Sequence, residues 1–204
     1  KDKPQQFAVS YLSSGTIRDI ESGKVLVRGY SEDGGIIASN LESRKAMPKT
    51  QWAFETHDAR DYGTKVLKNI LGETRFDFPK SLYAVEDCIK LFCLSKPNAL
   101  IVDFFAGSGT TAEALMRLNA EDGGQRRFIL VQIPQPIDAR KQKDAHSFVT
   151  ETLGKPEATI FEITAERIRR AGAKLEAELA AKASTGSART DALDTGFRVF
   201  ELVD

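Results

Sequence analysis

The chain has 204 residues, 29 of them basic and 29 acidic, so its formal net charge is zero. At roughly 100–200 residues per domain, that length accommodates one full domain and a smaller piece, and 41% apolar with 28% charged residues excludes wholesale disorder. The charge balance also excludes a protein that grips phosphates over its whole surface, which needs an excess of Lys and Arg, so any nucleic-acid contact is local.

In chain order, Thr16–Ile20, the turn Glu21–Lys24, Val25–Arg28, a second turn at Asp33–Gly35 and then Ile36 and Ile37 predict a small antiparallel β element. Residues 39–61 are polar, hold Trp52 and Phe54 between charged neighbours and follow neither period. They read as a solvated loop, although Arg44, Lys45 and Lys49 leave a phosphate contact open. Val66, Leu67, Ile70 and Leu71 before Gly72 predict a short helix from Thr64 to Leu71. Leu82, Val85, Ile89 and Phe92 step by three and four residues toward Lys96 and Pro97 and predict a second, amphipathic helix.

Ala99–Asp103 is a short apolar run bounded by Pro97 and a glycine-rich turn, which suits a buried parallel strand. A helix is expected from Thr110 to Asn119, and another buried strand over Phe128–Ile133, stopped by Pro134 and Pro136. Strand, turn, helix and strand make a βαβ unit. The chain is then polar until Thr159–Ile163. A helix from Thr164 to about Lys182 follows, with Ile168, Ala171, Leu175 and Leu179 inward and Arg167, Arg169 and Arg170 on the solvated face. Ala183–Arg189 has linker composition, and the alternation over Phe197–Val203 predicts a final half-buried strand.

Cys88 and Cys93 are too few for a disulfide framework, and five helical positions set them roughly 140° apart; they read as reduced core thiols. With only His57 and His146 besides, no metal-ligand spacing is present. No stretch approaches a membrane span or a secretory signal, which points to a soluble, cytoplasmic protein.

The turn Asp103–Thr111 carries the chemistry. Gly107-x-Gly109-x-x-Ala112 satisfies the relaxed dinucleotide fingerprint. Its glycines bring backbone close to a ligand, and the following helix presents unpaired N–H groups. No lysine follows Gly109, so the phosphate-binding P-loop pattern is absent. The next strand ends in Val131-Gln132-Ile133, where a dinucleotide site expects an acid for a ribose hydroxyl. Gln132 can still hydrogen-bond that hydroxyl without the charge. Spacing alone leaves a nicotinamide cofactor and S-adenosylmethionine both open.

The segment Asp103-Phe-Phe-Ala-Gly-Ser-Gly-Thr-Thr111 resembles the cofactor motif of the amino-group DNA methyltransferases, with Phe104 at the usual proline, a variant typical of the modification (Mod) subunits of type III restriction-modification systems. Phe78-Pro79-Lys80 resembles the family segment that closes over the methionine end of the cofactor. Residues 121–125, 128–132, 163–170 and 194–200 are similar to later family segments, so coverage runs from about Asp61 to the C-terminus.

The resemblance implies an α/β, partial Rossmann-like S-adenosylmethionine-dependent methyltransferase fold with a small N-terminal β element and a C-terminal helix plus strand. It implies that Asp103, Phe104, Phe105, Gly107, Ser108, Gly109, Thr110 and Thr111 shape the S-adenosylmethionine pocket, that Phe78, Pro79 and Lys80 close it with Lys80 near the methionine carboxylate, and that Gln132 lies by the ribose. Methyl transfer in this family goes to the amino group of an adenine rotated out of the duplex. An Asp-Pro-Pro-Tyr motif or close variant serves that step in relatives. The prolines here stand at Pro4, Pro48, Pro79, Pro97, Pro134, Pro136 and Pro156, never adjacent, so no catalytic residue is assigned.

The chain is accordingly expected to be the C-terminal portion of a Mod subunit, inactive alone. Residues 1–60 would be the tail of the target-recognition region, 61–163 the cofactor-binding part and 164–204 a C-terminal helix, linker and strand. Expected partners are DNA and the restriction (Res) subunit. An uncovered parallel edge predicts self-association, most simply a homodimer. A non-catalytic DNA-binding or docking module with an empty pocket is the alternative.

Overall fold

Gly23, at φ +74°, ends the first element of the computed structural model, which describes residues 14–32, 34–40, 50–184 and 193–202. That element is a helix, α1 (Ser14–Glu21), where Thr16–Ile20 before the turn at Glu21–Lys24 is expected as a strand. The two isoleucines stand three apart and share one side of a helix, and bonds from Ser22 to Arg18 and from Lys24 to Asp19 close the last turn. The antiparallel hairpin lies one element later, between β1 (Val25–Tyr30) and β2 (Ile36–Asn40), with a bulge between Val27 and Gly29. Arg44, Lys45 and Lys49 lie outside the described residues, as do 185–192 of the expected linker.

Two units divide between Gln51 and Trp52. The second opens with a 3₁₀ turn over Glu55–His57 and a π-type turn over Arg60–Thr64, in the region expected as loop. His57 explains this order: its Nε2 lies 2.9 Å from Asp87, and its ring contacts Trp52 and Phe54. Next come α2 (Lys65–Leu71) and α3 (Leu82–Cys93), with Ser81 as the N-cap of α3, accepting the Ala84 N–H. On α3 both thiols are free as expected; Cys93 is partly covered and packs against the cluster around Leu82 and Leu115, whereas Cys88 is exposed and is not a core residue. Cys88 falls one position before Ile89, off the buried stripe of Leu82, Glu86 and Ile89.

β3 (Leu100–Asp103), α4 (Thr110–Asp122) and β4 (Arg127–Leu130) form the expected parallel βαβ unit, with Leu100 opposite Arg127 and Asp103 opposite Leu130. α4 is covered on two sides: Ala112 and Met116 join α2 and α6 (Ile160–Ser184) in one apolar cluster, while Ala114, Leu115 and Leu118 join Leu82 and Ile89 of α3 in another. A helix apolar around most of its girth is stable only when enclosed in this way. The sheet is not enclosed. Ile101, Phe128 and Leu130 pack inward, but Leu100, Val102 and Ile129 are exposed. The expectation of strands buried on both faces therefore fails, because nothing among the described residues covers the second face.

The stretch after Pro136 holds α5 (Lys143–Ser147) and a π-type turn over Phe148–Thr152, both unforeseen, with Ala145, Phe148 and Val149 in the core. α6 starts at Ile160, before the expected Thr164, and buries Ile163, Ile168, Ala171 and Leu175. Residues 193–202 run along it: Gly172 leaves room for Thr195, and Arg169 lies over the Phe197 ring at 5.5 Å. The predicted strand over Phe197–Val203 is not formed. Its described residues pair with no strand, and Phe200 and Leu202 are exposed.

Two ionic clasps join α3 to α4. Buried Glu86 meets Lys90 at 2.8 Å and Arg117 at 3.3 Å, and Lys90 also reaches Glu121 at 2.8 Å. At the other clasp Arg126, its side chain fully buried, donates to the Cys93 and Leu94 carbonyls at the end of α3 and to both carboxylate oxygens of Asp122. Burial alone pushes the Asp122 carboxyl up, but hydrogen bonds from Arg126 and the Gly124 N–H outweigh it and hold the group below its ordinary 3.8. A depressed carboxylate contributes stability that is present above the unfolded value and is lost as pH falls through the folded one. Asp122→Asn is therefore expected to lower the urea midpoint at pH 7 and to narrow the gap to wild type below pH 3.8. Urea melts at pH 7 and pH 3 measure this.

Candidate functional site

The turn between β3 and α4 is held by its own first residue. Asp103 accepts the Phe105 N–H on Oδ1 at 3.0 Å and the Thr111 hydroxyl on Oδ2 at 2.6 Å, so one carboxylate ties the strand end, the turn and the first helical turn together. The parallel ladder runs on past the strands, with Val131 N–H donating to the Asp103 carbonyl and Ala106 N–H to the Val131 carbonyl.

Gly107 and Gly109 take φ of +54° and +80°, a region costly for residues with a Cβ. Gly107 has room: a Cβ there would meet Phe76 Cζ at 3.6 Å. Gly109 does not, since a Cβ would come within 3.2 Å of Ile168 Cγ1 and 3.3 Å of Thr164. One glycine is required for conformation and the other for conformation and space.

Gln132 joins the turn directly, its Oε1 accepting the Gly107 N–H at 2.7 Å. Ser108 and Thr110 are buried, with their hydroxyls 3.2 Å apart and both turned toward Arg167. Arg167 corrects the expectation of a solvated arginine face. Its side chain is fully buried, and Nη1 donates to Ser108 Oγ and Thr110 Oγ1 at 2.7 Å each. Nε donates to Glu113 at 2.9 Å. Burial pulls its pKa down and the Glu113 carboxylate opposes that; the guanidinium stays charged at neutral pH.

Toward solvent the site is apolar. Phe104 and Phe105 are 68% and 86% exposed, and Phe78 is 93% exposed with φ +53°, the one non-glycine residue with positive φ among those described. A bulky residue held in that region marks a segment fixed by its surroundings. Those surroundings are close: Pro79 is fully buried and its carbonyl lies against Gly63. Lys80 is exposed, with no ion pair among the described residues and no bond to the turn. Contact between the two segments comes instead through Phe76 beside Gly107. An open groove of about 2,090 Å³ along β4, α6 and residues 193–202 shares only Gln132 with the predicted site. Small-molecule pockets span roughly 300–1,000 Å³, and this groove is larger than any of them.

The structure thus brings together Asp103, Phe105, Gly107, Ser108, Gly109, Thr110, Thr111 and Gln132, and sets Phe104, Phe78 and Lys80 at the solvent side. Sequence reasoning missed Glu113, Thr164 and Arg167. The signal for Arg167 was its spacing, four residues after Ile163 and four before Ala171, which is the inner stripe of α6.

The chain matches the DNA methylase family over residues 17–169. It is similar to the type III restriction-modification enzyme EcoPI Mod subunit of Escherichia phage P1, 38% identical over 91% of this chain and 24% of the relative. The StyLTI Mod subunit of Salmonella typhimurium is 38% identical over 72% of this chain and 21% of its own length. The type II methyltransferase M.KpnI of Klebsiella pneumoniae is 41% identical over 52% of this chain and 25% of its own length. The chain therefore spans about a quarter of the length of these curated relatives.

Proposed function

Since the chain belongs to the DNA methylase family, we propose that it is the cofactor-binding part of a type III restriction-modification adenine methyltransferase and holds S-adenosylmethionine at the turn after β3. The observation that carries this is the left-handed pair Gly107 and Gly109 at the head of α4, beside the exposed Phe104 and Phe105. A helix N-terminus offers N–H donors to polar cofactor atoms, and exposed rings offer an apolar surface for a purine.

The residues fit the group. Asp103 spends both oxygens on the turn itself and so fixes its shape. Lys80, without an ion pair among the described residues, is free to meet the methionine carboxylate. Phe78 and Pro79 form the cover. Gln132, whose Oε1 accepts the Gly107 N–H and whose Nε2 donates to the Ile133 carbonyl, has one amide N–H left for the ribose. Ser108 and Thr110 face Arg167 and contribute through the backbone. When bound, the cofactor supplies an electrophilic methyl group on a sulfonium sulfur. On this reading the fold is a partial Rossmann-like methyltransferase fold, and the acceptor that aligns the adenine amine is not among these residues. The chain alone binds and does not methylate. DNA, a Res subunit and a second copy are the partners of the whole protein, in the cytoplasm.

A docking module with an empty pocket is the second reading, favoured by one contact: Gln132 already occupies the Gly107 N–H. Calorimetric titration with S-adenosylhomocysteine separates the two. One site is expected for the chain, weakened at least about tenfold in Gly109→Ala, where a positive-φ alanine costs roughly 1–2 kcal/mol before any clash. A flat titration of the unaltered chain favours the docking module.

A further inference from the structure

Three residues on one face of α6 press on the back of the glycine turn. Thr164 Oγ1 lies within hydrogen-bond reach of the Gly107 carbonyl and of its own Ile160 carbonyl, its single proton serving one at a time. Arg167, one turn on, reaches Ser108 and Thr110. Ile168 supplies the wall against Gly109. A turn with two left-handed glycines has more conformational entropy to lose than any other. A ligand gripped by its backbone must bear that loss unless the protein has already borne it.

A buried Arg–Glu pair is poor economy for stability alone, because apolar residues of similar size usually do as well or better. Arg167 and Glu113 are nevertheless buried together, Nε and Nη2 both within 2.9 Å of one carboxylate oxygen, while Nη1 is spent wholly on the turn. We infer that Thr164 and Arg167 are positioning residues: they hold Gly107–Thr110 in the geometry that binds cofactor and so set the affinity of a site neither of them touches. This rests on the S-adenosylmethionine reading above.

The test uses calorimetric titration with S-adenosylhomocysteine alongside thermal melts of the free protein. The double variant Arg167→Met/Glu113→Met exchanges the ion pair for apolar bulk. It is expected to fold, melting somewhat below wild type because the buried Ser108 and Thr110 hydroxyls lose a donor, and to bind on the order of 10- to 100-fold more weakly. Thr164→Val, of equal size, is expected to weaken binding, and Thr164→Ser, which keeps the hydroxyl, to restore it. Wild-type affinity in both the double variant and Thr164→Val overturns the inference and leaves the cofactor reading standing. A flat titration of the unaltered chain overturns both. Should the double variant not fold, the Thr164 pair decides: equal affinities for Val and Ser overturn the inference, and loss with Val alone supports it.

Discussion

Arg126→Ala is expected to destabilise the chain by about 2–4 kcal/mol, chiefly because the Cys93 and Leu94 carbonyls lose their donor, the Asp122 end of the ion pair being partly open to solvent. At this chain length that lowers the melting temperature by roughly 4–16 °C. The size follows from what the guanidinium does. It is closed to solvent, donates to the Cys93 and Leu94 carbonyls and holds the Asp122 carboxylate. Its own backbone exchanges two hydrogen bonds with the buried Asn119 side chain. Removing it strands two helix-terminal carbonyls and a carboxylate together, and carbonyls of a helix end need partners. Gly124 is part of the same fit, since a Cβ there would sit 2.2 Å from Arg126 Nη1. Lys at 126 carries the charge but not the fork and is expected to recover less than half of the loss. A melting temperature for Arg126→Ala within about 2 °C of wild type contradicts this account.

Gly63→Ala is the second large effect, expected to cost about 3 kcal/mol, the upper end for overpacking, and to weaken S-adenosylhomocysteine binding at least about tenfold. A Cβ on Gly63 would stand 2.4 Å from the Pro79 carbonyl oxygen and 3.1 Å from the Lys80 carbonyl. Both obstacles are backbone, so no side-chain rotation relieves them. Pro79 is fully buried and cannot retreat inward, and Ser81, two residues on, is pinned to the Thr56 carbonyl at 2.7 Å. The strain therefore falls on residues 78–80, where Phe78 already sits at φ +53°. Urea unfolding reads the stability and calorimetry reads the binding. Loss of stability with unchanged binding would mean that Phe78, Pro79 and Lys80 take no part in holding the cofactor.

Where several levels of sequence agreed, the fold was legible. The β3–α4–β4 unit combines short apolar runs, a glycine turn that demands positive φ and a helix with apolar residues on more than one side, all pointing to the same element order. Gly107 and Gly109 were legible because few other uses exist for two glycines between a strand and a helix.

Local pattern misled where it had no context. Thr16–Ile20 reads as a strand from its β-branched residues and the turn after it, and the structure uses the three-residue spacing of Ile17 and Ile20 instead. Phe197 and Val199 do alternate with Arg198, yet alternation makes a strand only with a partner edge, and none is present among the described residues. Arg167 shows the opposite limit. Its spacing marked it as inner, but its charge argued for the surface, and only the distant Glu113, Ser108 and Thr110 decide between them.

Nuclear magnetic resonance of the ¹⁵N-labelled chain titrated with S-adenosylhomocysteine decides whether the bend after β3 holds S-adenosylmethionine. Saturable shifts are expected at the amides of Phe105, Gly107, Gly109 and Thr111, with Lys80 following, and none with NADH at equal concentration. Shifts confined to the groove along residues 193–202, or no shifts at saturating ligand, would contradict that reading of the bend.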